Sequence, residues 1–137
     1  MTLRHTLARE VSAEGVALHA GVPARLTLHP APAGAGILFQ RRDLAGSAAI
    51  PALWSHVSET RLGTVIAGAD GASVGVIEHL MAALAGAGID DCAVAVDGPE
   101  PPILDGDALS YLRLIDEAGT APQAGVRQAL RLRHAVE

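Results

Sequence analysis

Glycine and proline fix how long any element of this chain can be. Clusters at Gly21-Val22-Pro23, Pro30-Ala31-Pro32-Ala33-Gly34 and Asp97-Gly98-Pro99-Glu100-Pro101-Pro102 interrupt it. Proline lacks an amide donor and glycine loses the most backbone entropy on folding, so neither continues a helix or a central strand well. The first third is left with short β-leaning runs: Leu7–Val11, Ala24–Leu28 and Gly36–Gln40. A fourth, Thr60–Ile66, follows the stretch Arg41–Ser58.

Two segments escape the punctuation and carry helical periodicity. Ile77, Leu80, Met81 and Leu84 fall at i, i+3, i+4 and i+7, with Ser73 as the expected N-cap and Gly86 and Gly88 near the end. A second helix is expected over Ala108–Ala118, with Asp107 to cap it, Gly119 at its C-terminal end, and Tyr111, Leu112 and Ile115 on its apolar side. Between them, Cys92–Val96 is a continuous apolar run of the kind found in buried strands. Gly119–Gly125 reads as a linker, and Leu130–Arg133 alternates with period two like a strand with a basic face. The order β, β, β, β, α, β, α, β predicts an α+β two-layer domain: a mixed or antiparallel sheet with two helices packed on it.

Composition narrows the function classes. The length of 137 residues suits one domain, and a 50% hydrophobic content supplies a real core. The best apolar segment, Val74–Ile89, is interrupted by Glu78 and His79, so no transmembrane segment is expected. The first ten residues lack the apolar stretch of a secretory signal. The lone Cys92 excludes an intrachain disulfide and points to a reducing compartment. A net charge of −5 and only three aromatic residues, Phe39, Trp54 and Tyr111, argue against nucleic acid as a partner. There is no lysine, so Schiff-base and phosphate-loop lysine chemistry is excluded.

The chemically informative pair is Glu78-His79, near the start of the first helix. Neighbours on a helix project about 100° apart, so both side chains can border one cleft without sharing the buried stripe. Imidazole is the commonest metal ligand, and a neighbouring carboxylate can take a proton from a metal's water. Spacing alone nevertheless favours a plainer account, in which Glu78 stabilises the first turn and His79 packs on the sheet. No full zinc ligand set is visible. The chain has no His-Glu-x-x-His and no His-x-x-x-Asp, and Gly75 stands where the inverted motif needs its first histidine. Cys92 reads as inert packing, Asp105-Gly106-Asp107 as a helix cap, and the arginines at 41, 42, 127, 131 and 133 as solvated faces.

Five segments in order resemble the UDP-3-O-acyl-N-acetylglucosamine deacetylase family of zinc enzymes in lipid A synthesis. They are Gly15-Val16-Ala17-Leu18-His19-Ala20-Gly21, Leu28-His29-Pro30-Ala31-Pro32, Glu59-Thr60-Arg61-Leu62-Gly63-Thr64, the run from Val76 to Asp90, and Pro101-Pro102-Ile103-Leu104-Asp105-Gly106. The resemblance covers the whole chain but only the first of the family's two similar α+β domains. It implies a division at residues 1–124, the N-terminal domain, and 125–137, a linker and the first strand of a second domain. It implies that Glu78 is the catalytic general base, that His79 is one of three ligands of a Zn2+ cofactor, and that Leu18, His19, Thr60 and Leu62 approach the substrate. The other two ligands, a histidine that protonates the leaving amine and a substrate-binding lysine would come from the second domain. Gly63 departs from relatives that carry a cysteine there.

With this context the functional reading of Glu78 and His79 overtakes the plainer one. The implied reaction is metal-assisted hydrolysis of an acetamide in the cytoplasm, on UDP-3-O-acyl-N-acetylglucosamine. These residues alone are expected to be inactive and to need the second domain or a partner in trans. The alternative is a non-catalytic one-domain relative that binds the sugar nucleotide or a partner protein in lipid A regulation.

Overall fold

Along Pro23–Pro30, Ala24, Leu26 and Leu28 are buried while Arg25, Thr27 and His29 lie towards solvent, the period-two pattern of a strand covered on one side. A computed structural model describes residues 2–129 and 131–135. Its strands are β1 Leu3–Leu7, β2 Val11–Val16, β3 Pro23–Pro30, β4 Ile37–Arg41, β5 Ile50–Pro51, β6 Val57–Glu59, β7 Val65–Ala67, β8 Ser73–Val74, β9 Cys92–Asp97 and β10 Thr120–Val126. The helices are α1 Glu78–Gly86 and α2 Leu109–Ala118, and a 3-10 turn spans Trp54–His56. The main sheet has the order β2-β3-β9-β4-β5, with β4 and β9 parallel and every other pair antiparallel. Two small antiparallel sheets, β1-β10 and β6-β7-β8, complete an α+β fold of one mixed and two antiparallel sheets with two helices among the described residues, the class the sequence predicts.

The core joins one face of the main sheet to both helices. Leu26, Leu28, Phe39, Val94 and Val96 pack in one buried cluster with Leu80, Ala83, Leu84, Tyr111 and Ile115. Each such side chain contributes roughly 1.5–3 kcal/mol by leaving water. The apolar run Cys92–Val96 lies inside central strand β9, where Cys92 is fully buried. Burial pushes its thiol up to about 12, so it remains an inert core side chain. Among the described residues no helix is long and apolar enough to cross a membrane.

Four local expectations are corrected. The run Leu7–Val11 is two strands, because the chain turns at residues 8–10 so that β1 can pair with β10 and β2 with β3. Gly119–Gly125 is not a linker: Gly119, at φ +70°, turns the chain back and Thr120–Val126 pairs along β1. That pairing is non-local, and Pro122 and Gly125 mask it in the sequence. Ser73 does not cap α1. It lies in β8, opposite Ala67, and its carbonyl accepts from Arg41 Nη1 (2.7 Å). Arg131–Arg133 form no strand, and Leu130 lies outside the described residues.

Asp90 and Asp91 join these layers. Asp91 is fully buried and accepts from Arg4 Nε (2.8 Å), Arg4 Nη2 (2.7 Å) and the Gly36 amide (2.7 Å). Asp90 accepts from the His5 amide (2.9 Å) and from Arg127 Nε (2.7 Å). Arg41 and Arg127 are thus structural ties, not solvated charges: Arg41 also pairs with Asp43 at 2.7 Å. Burial alone would raise both aspartate carboxyls, but the guanidinium groups and backbone donors outweigh it and hold both below the usual carboxylate range. A folded value below the unfolded one means that the stabilisation is complete above about pH 4 and is lost as pH falls through the depressed folded value. Asp91→Ala strands the Arg4 guanidinium and the Gly36 amide, and is expected to cost about 2–3 kcal/mol in urea unfolding at pH 7. The deficit should shrink as the titration moves below pH 4; a deficit under half a kilocalorie at pH 7 would contradict this account.

Candidate active site

The path into α1 is strained. After β8, Gly75 donates its amide to the Pro99 carbonyl (2.9 Å), and Val76 takes φ +53°. A left-handed backbone is rare for any residue with a β-carbon and rarer for a β-branched one. Val76 is also buried. This kink separates strand from helix within three residues, and Glu78 and His79 become the first residues of α1.

The helix start has no side-chain cap. Thr64 takes over instead, from the loop between β6 and β7. Its amide donates to Glu78 Oε2 (2.8 Å), and its carbonyl accepts from the Ile77 amide (3.3 Å). One residue of a neighbouring loop thus satisfies an orphan amide at the helix start and orients the carboxylate beside it. The same bond explains why Thr60–Ile66 is not one strand. Thr64 gives its amide to Glu78 rather than to a ladder, and pairing starts only at Val65, where β7 lies between β6 and β8. The helix dipole adds a positive field where Glu78 sits.

Gly63 lies against the same carboxylate. A β-carbon there would come 3.2 Å from Glu78 Oε1 and 3.5 Å from Val76 Cγ2. The glycine at this position therefore decides how much space Glu78 has. His79 is half-buried, and its Nδ1 is buried with no hydrogen-bond partner among the described residues. Such a nitrogen in a native fold calls for an explanation.

A cavity of about 240 Å³ is lined by His19, Leu62, Gly63, Val76 and Glu100 among others; neither Glu78 nor His79 lines it, although Gly63, which lies against the Glu78 carboxylate, does. Of the four expected substrate contacts, His19 and Leu62 line it. Leu18 and Thr60 do not, although each is next in the chain to a residue that does. Leu18 and Leu62 are large apolar side chains left 50% and 75% exposed. Two participants were not legible in the sequence. Glu100 was read only as part of a rigid turn, yet it is buried and accepts from the His19 amide (2.9 Å). Val76 was read only as apolar, and nothing in its identity announces a positive φ.

The residues fit one part of a metal centre. His79 offers an imidazole with an unpartnered nitrogen, next to a carboxylate that could serve as a base. Among the described residues no group of three His, Cys, Asp or Glu side chains could hold a metal ion, so a complete ligand set is not formed by them. The strain at Val76 yields a stability prediction. A buried valine replaced by glycine ordinarily costs well over 2 kcal/mol, but relief of the left-handed backbone returns about 1–2 kcal/mol. Val76→Gly should therefore stay within about 1.5 kcal/mol of the parent protein in chemical denaturation, and a larger loss would show that the site is unstrained.

The family described as UDP-3-O-acyl N-acetylglycosamine deacetylase matches residues 4–137. A UDP-3-O-acyl-N-acetylglucosamine deacetylase of Myxococcus xanthus (strain DK1622) is 50% identical over 133 residues, covering 97% of this chain and 42% of the relative. One from Anaeromyxobacter dehalogenans (strain 2CP-C) is 55% identical over 116 residues, covering 85% of the chain and 37% of the relative. One from Shewanella sp. (strain W3-18-1) is 40% identical over 136 residues, covering 99% and 44%. The chain therefore spans about two fifths of the length of these curated relatives. With that match running through the strained turn, the Thr64 bracket and the Glu78-His79 pair, the chain belongs to the UDP-3-O-acyl-N-acetylglucosamine deacetylase family.

Proposed function

We propose that this chain supplies the N-terminal part of a zinc-dependent deacetylase that hydrolyses the acetamide of UDP-3-O-acyl-N-acetylglucosamine in lipid A synthesis. The observation that carries this reading is the bracketed Glu78: its Oε2 is fixed by the Thr64 amide at 2.8 Å while the neighbouring imidazole keeps a buried nitrogen without a partner among the described residues. A helix cap or a packing histidine requires neither arrangement. The relatives, named as deacetylases of this substrate, support the same chemistry.

In this reading His79 is one of three zinc ligands. A bound zinc would polarise the acetyl carbonyl and make a water acidic near neutral pH. The chain's own residues do the rest of their share in fixed positions. Thr64 occupies Oε2, and Oε1, beside Gly63, is the oxygen that takes the proton from water. Preorganisation of this kind costs nothing at the moment of reaction. Leu18, His19, Thr60 and Leu62 contact the substrate, with the two exposed leucines covered when it binds. Residues 1–124 form the N-terminal domain, and residues 125–137 lead towards the second. The two remaining zinc ligands, and the groups that protonate the amine and bind the sugar nucleotide, come from that second domain. The reaction runs in the cytoplasm.

In the full-length protein, Glu78→Gln should lower kcat by at least about 100-fold while leaving the unfolding midpoint within experimental error, because the isostere keeps the Thr64 bond and loses only the base. The 137-residue chain alone should show no turnover in the same acetate-release assay. A Glu78→Gln enzyme within threefold of the parent would overturn the base assignment.

A further inference from the structure

We propose that Glu100 is a positioning residue for Glu78, acting through His19 and the 60–64 loop as a two-loop clamp; this rests on Glu78 being the base. Glu100 sits in the segment Pro99-Glu100-Pro101-Pro102, where three prolines restrict the backbone. That segment is pinned to the core on both sides. The Pro99 carbonyl accepts from the Gly75 amide (2.9 Å), and the Pro102 carbonyl accepts from the buried Tyr111 hydroxyl. A buried carboxylate on so rigid a base is a fixed reference point, and it is costly to bury unless its oxygen is used. The oxygen is used on an exposed loop: Glu100 Oε2 accepts from the His19 amide (2.9 Å).

The ring of His19 carries the connection onward. Its Nε2 lies 3.1 Å from the Leu62 carbonyl. A carbonyl only accepts, so Nε2 bears the proton and donates. Two residues along, the Thr64 amide meets Glu78 Oε2 at 2.8 Å. The intervening Thr60–Thr64 loop belongs to no strand, so contacts of this kind set its position. Glu100 thus fixes His19, His19 holds Leu62, and Thr64 is presented to the carboxylate. The same clamp ties together the loops that carry exposed Leu18 and Leu62.

The test uses the full-length protein, with amide hydrogen exchange and steady-state kinetics on the same samples. In Glu100→Ala, the peptide spanning residues 60–66 should exchange faster while the peptide spanning β9 is unchanged. Turnover should fall with the base out of place: kcat by about 10–100-fold and KM by less than about threefold, since a small misplacement of a reacting group costs rate more than affinity. Glu100→Gln keeps an acceptor oxygen for the His19 amide and should restore both readouts to near parental values. His19→Ala cuts the second link and should loosen residues 60–66 with Glu100 intact. Parental kcat in Glu100→Ala, loss of kcat with unchanged exchange at 60–66, or faster exchange spread into β9 would each overturn the clamp. So would unchanged exchange at 60–66 in His19→Ala. Glu78→Gln is measured alongside: parental activity there removes the base reading, and the exchange data still judge the clamp by itself.

Discussion

The joint at Asp90-Asp91 holds the rest of the structure in register. Asp91 is buried with a bidentate guanidinium, and its own carbonyl accepts from the Thr6 hydroxyl at 2.6 Å, which in turn accepts from the Ala31 amide at 3.0 Å. The amides of Asp90 and Asp91 both reach the His5 carbonyl, at 2.8 and 3.2 Å. This one dipeptide therefore connects the end of the helical turn after α1, the start of β9, strand β1 and the loops at residues 31 and 36. Removing a single partner from such a network leaves buried charge unpaired, which is why its cost exceeds that of an exposed ion pair.

The joint matters for the site because α1 is only nine residues long. A helix that short has little stability of its own and must be held by tertiary contacts. Its C-terminal side runs into the Asp90-Asp91 joint, and its N-terminal side is bracketed by Thr64. Between the two anchors, Leu80, Ala83 and Leu84 fix its rotation against the sheet. Glu78 and His79 then have little freedom in either translation or rotation. The strain at Val76 is the consequence of making the strand-to-helix transition so abrupt, and it falls where a positioned carboxylate is needed.

Much of this was legible in the sequence, and the exceptions share a cause. The apolar stripe of α1 and the buried run of β9 are local patterns; β9 formed where the run placed it, and α1 formed on its stripe but starts at Glu78 rather than after Ser73. Family motifs singled out Glu78 and His79, which spacing alone left as a cap and a packing residue. What the sequence hid depends on partners far along the chain. Strand β10 exists because β1 lies beside it, more than a hundred residues away. Thr64 leaves the ladder because Glu78 is within reach. Glu100 looks like one residue of a proline turn until His19 is folded onto it. The left-handed backbone of Val76 is imposed by the surrounding fold, and no propensity of valine could announce it.

The central claim is that the first turn of α1 presents a base and a metal ligand to one centre. Equilibrium dialysis of zinc against the full-length protein, with His79 intact and with His79→Ala, tests it most directly. On the proposed reading one of three protein ligands is lost, so affinity should drop by at least about 100-fold while the unfolding midpoint is little changed. Undiminished zinc binding without His79 would mean that this imidazole is a packing residue.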